Sequence, residues 1–168
     1  IFRDTRVPVQ NQLGKTGEGL NLAMNFLNTV RAAVPFVCAG VAQACIDASI
    51  EYATKRTQFN KPIGRFQMIQ EKIANMVVQT EAMRLLGYQA AYLVDKGIPC
   101  QKEVSIAKLF ASETAEKVCS VAIQTLGGYG VTADFPVERI YRDVRVCQIY
   151  EGTSEVQKMV IADWVLRD

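Results

Sequence analysis

Glu151 is a carboxylate that could act as a base from a break between helices. It stands in the stretch Gln148-Ile149-Tyr150-Glu151-Gly152-Thr153-Ser154-Glu155, on a break between two helical patterns and beside a glycine that frees the backbone. Thr153 or Ser154 can cap the following helix with Glu155 in its first turn, so the same stretch also reads as a plain helix start. The chain contains no histidine, which removes Ser-His-Asp and Cys-His catalysis and most catalytic zinc sites. Any chemistry must then come from a carboxylate, a lysine, a tyrosine or a bound cofactor, and no metal-ligating set is expected. Two further features could serve a ligand. Arg31 falls on a mostly apolar stripe, either as a snorkelling side chain or as the partner of an anion or carbonyl. Gly127-Gly128-Tyr129-Gly130 either stops a helix or lets backbone come close to something else.

The elements that must position these residues are helical. Apolar residues spaced by three, four or seven run from about 18 to 55 (Leu20, Met24, Leu27, Arg31, Val34, Val41, Ala44, Ala48, Tyr52), with Pro35 predicting a kink. Asn60, Pro62 and Gly64 break the period over 56–67. A second helix is expected from about Phe66 to Lys96, with Ile69, Ile73, Met76, Thr80, Met83, Gly87, Ala90 and Val94 inward and Gly97 closing it. A third covers 101–126, with Ile106, Phe110, Thr114, Val118, Val121 and Thr125 inward. A short helix follows from Pro136 to about Val146, and a last one from Thr153 to Val165. Three long helices and a shorter fourth on short loops predict an all-α fold, an antiparallel four-helix bundle with extra short helices. Residues 1–15 read as a short strand or extended arm, and 16–168 as the helical domain.

Composition narrows the function. With 168 residues, 49% hydrophobic and 21% charged, the chain is long enough for one domain with a core. A net charge of +2 with mixed signs and no basic run argues against nucleic acid. No wholly apolar stretch reaches the roughly 18 residues of a membrane span. The five cysteines form no CxxC and read as reduced core residues of an intracellular protein. The chain begins Ile1-Phe2-Arg3, as a piece of something longer would.

Four motifs, in order, resemble the C-terminal domain of the acyl-CoA dehydrogenases: Arg56-x-x-Phe59 with Lys61-Pro62-Ile63-Gly64-x-Phe66-Gln67; Gln124-x-x-Gly127-Gly128-x-Gly130; Arg142-Asp143; and Tyr150-Glu151-Gly152-Thr153-Ser154. The resemblance covers essentially the whole chain. It implies that residues 1–15 end a middle β domain and its linker, and that an N-terminal helical domain and that β domain precede them. It also implies an FAD enzyme that converts an acyl-CoA thioester to trans-2-enoyl-CoA. Glu151 would take the α-proton while a hydride leaves the β-carbon for flavin N5, and the Glu151 N–H would help hold the thioester carbonyl as an oxyanion hole. Branches of the family that place the base on the first helix carry it at the position of Val30, which cannot serve. The resemblance is therefore to the short-, medium- and branched-chain arrangement.

By the same resemblance Arg56, Gln58, Phe59, Phe66, Gln67, Gln124, Gly127 and Gly128 bind FAD across a subunit boundary, with Arg56 on the pyrophosphate. Thr153 and Glu155 meet the FAD on the side of Glu151. Asn28, Arg31, Tyr150 and Gly152 meet the acyl-CoA substrate. The implied partners are electron-transferring flavoprotein and further copies of the chain, as a dimer of dimers. The implied compartment is the mitochondrial matrix or bacterial cytoplasm. An acyl-CoA oxidase of the same fold, or a non-catalytic helical oligomerisation module, are the other readings of these motifs.

Overall fold

The computed structural model describes residues 1–167, the side chain of Asn28 excepted. Its α-helices are α1 (Gly19–Arg31), α2 (Val34–Lys55), α3 (Gln67–Asp95), α4 (Gln101–Leu126), α5 (Val137–Val144) and α6 (Ser154–Val165). Helix α4 is central: α2, α3, α5 and α6 all pack on it, and α2 and α3 also pack on each other. The all-α bundle with short extra helices is thus the observed fold.

The chain departs from expectation where the first helix was to run unbroken over 18–55. It divides at Ala32–Ala33. Pro35 has no N–H to give the carbonyl four residues earlier, and the chain tightens before it. Ala32 N–H donates to the Thr29 carbonyl at 3.2 Å and Ala33 N–H to that of Val30 at 2.9 Å. Both residues keep right-handed dihedrals, so the helix direction carries through. Pro35 then occupies the first turn of α2, where a missing N–H costs nothing. Taken as one, α1 and α2 are long and apolar enough to cross a bilayer, contrary to the sequence reading. Yet α2 is an inner helix of the bundle, buried along one face, with Arg31 and the break just before it. That is how the core helix of a globular domain is built.

The buried face of α2 also differs from expectation. Cys38, Ala39, Ala42, Cys45, Ile46, Ser49 and Ala53 are inside, whereas Ala44 is exposed and Val41, Ala48 and Tyr52 lie at the edge. On α4 the fully buried apolar residues are Ala107, Ala111, Ala115, Val118, Cys119 and Ala122, while the expected Phe110 is 37% exposed. The physical reason is shared. A helix packed on several sides approaches its neighbours through small residues, and the large side chains fill the grooves beside that seam. Helix α3 packs as its period predicts, through Met76, Thr80, Met83, Gly87 and Ala90. It ends as expected at Gly97, whose left-handed φ of +64° completes a Schellman stop through Ile98 N–H to the Leu93 carbonyl at 3.0 Å.

Residues 1–15 form the arm, not the strand: an exposed chain with one 3-10 turn at Val9–Asn11 and positive φ at Asp4 (+48°) and Gly14 (+69°). A strand needs a partner for its backbone groups, and among the described residues the one sheet lies between α2 and α3 and does not include this arm. Between α2 and α3, β1 (Thr57–Gln58) and β2 (Lys61–Pro62) pair antiparallel across a two-residue loop. Phe59 and Asn60 both take positive φ (+50° and +64°), as a type I′ turn requires. Asparagine tolerates that conformation; phenylalanine rarely adopts it.

Candidate active site

The Glu151 turn is made by two consecutive left-handed residues. A 3-10 turn at Arg145–Gln148 ends with the N–H groups of Ile149 and Tyr150 both donating to the Val146 carbonyl, at 2.8 and 3.1 Å. Glu151 then takes φ +57° and Gly152 φ +91°. Thr153 is extended and caps α6, its hydroxyl oxygen accepting from Val156 N–H at 3.4 Å. A left-handed glutamate costs about 1 kcal/mol or more, so the surroundings must impose it.

They do so through side chains from three helices. Arg31, at the end of α1, donates from Nε to the Glu151 carbonyl at 2.8 Å. Gln157, on α6, donates to the carbonyls of Glu151 (3.2 Å) and Gly152 (3.1 Å). Lys108, on α4, donates to the Gly152 carbonyl at 2.7 Å. All three donors are buried, Lys108 and Gln157 completely. Burial pulls both cations below their ordinary range. For Arg31 the nearby Glu151 opposes this; for Lys108 Arg31 adds to it, and Cys38, Cys147 and Glu151 oppose it. Arg31 is therefore a carbonyl partner and not a snorkelling side chain.

With its backbone so held, Glu151 has one carboxylate oxygen, Oε2, buried without a hydrogen-bond partner in the chain. Buried carboxylate oxygens are ordinarily satisfied, and leaving one bare is costly. Ser154 Oγ and Gln157 Oε1 in the same turn are also buried and unpartnered. A Cβ on Gly152 would lie 2.6 Å from Gln157 Nε2, so a side chain there would push that amide aside. The Tyr150 hydroxyl lies 3.5 Å from Cys147 Sγ. Glu155 is exposed in the first turn of α6. The expected role of the Asn28 side chain falls outside the described residues.

Lys108 and Gln157 escaped the sequence reading. Lys108 did carry a signal, the same that singled out Arg31. It stands at helical spacing from Val104, Ser105, Ala111, Ser112 and Ala115, a small and buried stripe in which a lysine is out of place.

The remaining expected residues gather elsewhere. Arg56, at the end of α2, shares an open pocket with Tyr52, Leu126, Gly127, Gly128, Tyr129 and Thr132. A Cβ on Gly127 or Gly128 would meet nothing within 4 Å, so their backbone lies bare to the outside. Gly130 is different: a Cβ there would lie 2.6 Å from the Ile123 carbonyl oxygen. The glycine run thus combines a close approach to its own helix with an uncovered backbone. Gln124 is exposed one turn earlier. On the hairpin side Gln58 and Gln67 are exposed, and Phe59 projects 86% exposed with its ring edge-on to the half-buried Phe66 at 6.1 Å. This group and the Glu151 group sit at opposite ends of α2, whose 22 residues span about 33 Å.

The sequence model described as "Acyl-CoA dehydrogenase, C-terminal domain" matches residues 17–166. The chain belongs to the acyl-CoA dehydrogenase family. This acyl-CoA dehydrogenase domain is 48% identical over 167 residues to an acryloyl-CoA reductase (NADH) of Anaerotignum propionicum, covering 99% of the chain and 42% of that protein. It is 46% identical over 167 residues to the caffeyl-CoA reductase-Etf complex subunit CarC of Acetobacterium woodii, covering 99% of the chain and 44% of that protein. Butyryl-CoA dehydrogenase of Megasphaera elsdenii superposes with a TM-score of 0.95 at 42% identity, over 99% of the domain and 44% of that chain. The domain therefore spans less than half the length of these relatives.

Proposed function

We propose that the protein containing this domain interconverts an acyl-CoA thioester and its trans-2-enoyl-CoA, with Glu151 exchanging the α-proton and FAD as the redox cofactor. The observation that carries this reading is the Glu151 turn: a left-handed backbone gripped by Arg31, Gln157 and Lys108, with one carboxylate oxygen buried and unpartnered. A carboxylate oxygen with no donor of its own keeps its lone pairs for an incoming C–H. Fixing φ at Glu151 also fixes the direction of its N–H, which by this reading donates to the thioester carbonyl and stabilises the developing enolate. By this reading Asn28, Arg31, Tyr150 and Gly152 meet the acyl-CoA.

FAD, when bound, supplies the acceptor for the hydride that leaves the β-carbon. The residues at the far end of α2 suit its pyrophosphate and rings: the Arg56 guanidinium, the bare backbone at Gly127 and Gly128, and the exposed Phe59 beside Phe66. Gln58, Gln67 and Gln124 border them. Their position at the other end of α2, a helix about 33 Å long, favours a cofactor site completed by a second copy, Arg56 from one and Thr153 and Glu155 from the other. Exposed apolar residues on α3, among them Leu85, Tyr88 and Tyr92, favour self-association as a dimer of dimers. The relative named as part of a reductase-Etf complex supports electron-transferring flavoprotein as the redox partner.

A second reading concerns direction. Two of the relatives are named as reductases, and microscopic reversibility lets the same Glu151 return the proton to the α-carbon of an enoyl-CoA. One experiment tests both. The full-length protein and its Glu151→Gln variant are titrated anaerobically with butyryl-CoA, and the reduced forms with crotonyl-CoA, following flavin absorbance. The expected result is retained FAD and thioester binding with both half-reactions slowed by about 10³-fold, in the range for loss of a general base. Near-wild-type bleaching by the variant would place the base elsewhere. Fast recovery of colour in air would make the protein an oxidase.

A further inference from the structure

The carbonyls of Glu151 and Gly152 receive four hydrogen bonds from three side chains, and the one that least resembles an ordinary structural contact is Lys108. Its ammonium is fully buried in the middle of α4, and the partner it touches is a neutral carbonyl, Gly152 O, at 2.7 Å. Methionine or leucine would fill the same volume without the cost of burying a charge, so packing alone does not account for a lysine. Its surroundings are Arg31 from α1, Cys38 from α2, Cys147 from the 3-10 turn and Glu151 itself.

The backbone explains what the lysine does. The left-handed φ of Glu151 (+57°) has no local cause, whereas glycine accepts that of Gly152 (+91°), and either peptide could turn over if its carbonyl were released. Arg31 holds the first carbonyl, Lys108 holds the second, and Gln157 bridges both at 3.2 and 3.1 Å, so the two peptides move together or not at all. Gly152 is followed directly by Thr153, the cap of α6. Lys108 therefore ties the turn to the central helix on one side while the cap ties it to α6 on the other.

We propose that Lys108 is a positioning residue for the base: by fixing the Gly152 carbonyl it sets the direction in which the Glu151 carboxylate and N–H leave the turn. This rests on the reading of Glu151 as the base. The expected consequence of losing it is a misdirected carboxylate in a protein that still binds cofactor and thioester. Displacing a reacting group by about 1 Å costs up to about 10²-fold in rate.

The test uses the full-length holoenzyme with Lys108→Met, Lys108→Arg, Lys108→Gln and, in parallel, Glu151→Gln. FAD content, thermal midpoint, and kcat and KM with butyryl-CoA are measured for each. Lys108→Met is expected to keep FAD and a KM within about threefold of wild type while kcat falls about 10- to 100-fold. Lys108→Arg, which keeps a cationic donor, is expected to recover at least about tenfold of a hundredfold loss. A Lys108→Met kcat within twofold of wild type overturns the proposal, as does a loss that falls equally on KM and that arginine does not repair. If the methionine variant does not fold, Lys108→Gln decides by the same criteria, since its amide is a shorter neutral donor. Wild-type activity in Glu151→Gln would instead refute the reading of the base. An inactive Glu151→Gln beside a fully active Lys108→Met would refute the role of Lys108 alone.

Discussion

The glycine run at the end of α4 gives two adjacent sites with opposite expectations, and alanine at each separates packing from cofactor contact. At Gly130 an added Cβ would lie 2.6 Å from the Ile123 carbonyl oxygen, 2.9 Å from its Cα and 3.1 Å from its carbonyl carbon. Ordinary contact begins near 3.4 Å, so the turn must move about 0.8 Å away from α4 (3.4 − 2.6). All three atoms are backbone of a central helix and cannot swing aside. The rings of Tyr129, Phe135 and Tyr52, with centroids 5.6 to 6.2 Å apart, would have to move with the turn. Overpacking of this kind costs about 1–3 kcal/mol, and a backbone-against-backbone clash belongs in the upper half of that range. At Gly128 an added Cβ meets nothing within 4 Å and φ is not in the left-handed region. Alanine there is expected to leave the fold unchanged or stabilise it by about 0.4–1 kcal/mol through the unfolded chain. That same Cβ would project beside the Arg56 pocket, so FAD affinity is expected to fall by about tenfold, or about 1.4 kcal/mol. The assay is urea denaturation of deflavinated full-length protein, with the slope checked for constancy, followed by FAD titration against flavin fluorescence. The packing argument is refuted if Gly130→Ala is as stable as wild type. The cofactor argument is refuted if Gly128→Ala binds FAD as tightly as wild type.

Thr153→Ala removes the side-chain cap of α6, whose hydrogen bond to Val156 N–H is long at 3.4 Å. The expected loss is about 0.5–1 kcal/mol by chemical denaturation, with Thr153→Ser restoring it, and an unchanged midpoint would mean the cap carries no weight. Tyr150 has its phenol pushed well above the ordinary range, first by burial and then by its hydrogen bond with Cys147. A folded-state value raised above the unfolded one means that the neutral phenol is favoured in the fold. Stability from this group is present below about pH 10 and is lost as pH rises above that. Native wild-type and Tyr150→Phe proteins should therefore show no difference in tyrosinate absorbance near 295 nm at pH 10.5. A difference should appear once both are unfolded, and a native difference of one tyrosinate at that pH would refute the burial argument.

Much of the bundle is legible before any coordinates. The third helix begins and ends where its flanking residues say, at Gln101 and Leu126, and the second ends at the glycine expected to stop it. The inward face of α3 follows from its period because Met76 and Met83, at helical spacing, mark it with large apolar side chains. The face of α2 does not, and that of α4 follows only at Thr114, Val118 and Thr125, because a period read from large side chains misses a seam built from Ala, Cys and Ser. The break at Ala32–Ala33 is half legible: Pro35 marks the place, but whether the backbone bends or tightens is decided by the hydrogen bonds left available. At the site, Arg31 announces itself as a charge on an apolar stripe. Lys108 does the same among small residues, where a search for bulky periodicity passes over it.

Residue chemistry and order along the chain determine by themselves that this is a helical domain of the acyl-CoA dehydrogenase family with a carboxylate on a helix break. A histidine-free chain leaves few other bases, and the four ordered motifs fix the family. Only the tertiary structure decides how that carboxylate is held. Glu151, beside a glycine free to adopt positive φ, takes a left-handed dihedral that no local preference supplies, because donors 120, 44, 6 and 5 residues away converge on the carbonyls of Glu151 and Gly152. The structure alone also separates the Glu151 turn from the Arg56 and glycine group by the length of α2, since distance along a packed helix is a property of the fold and not of spacing in sequence.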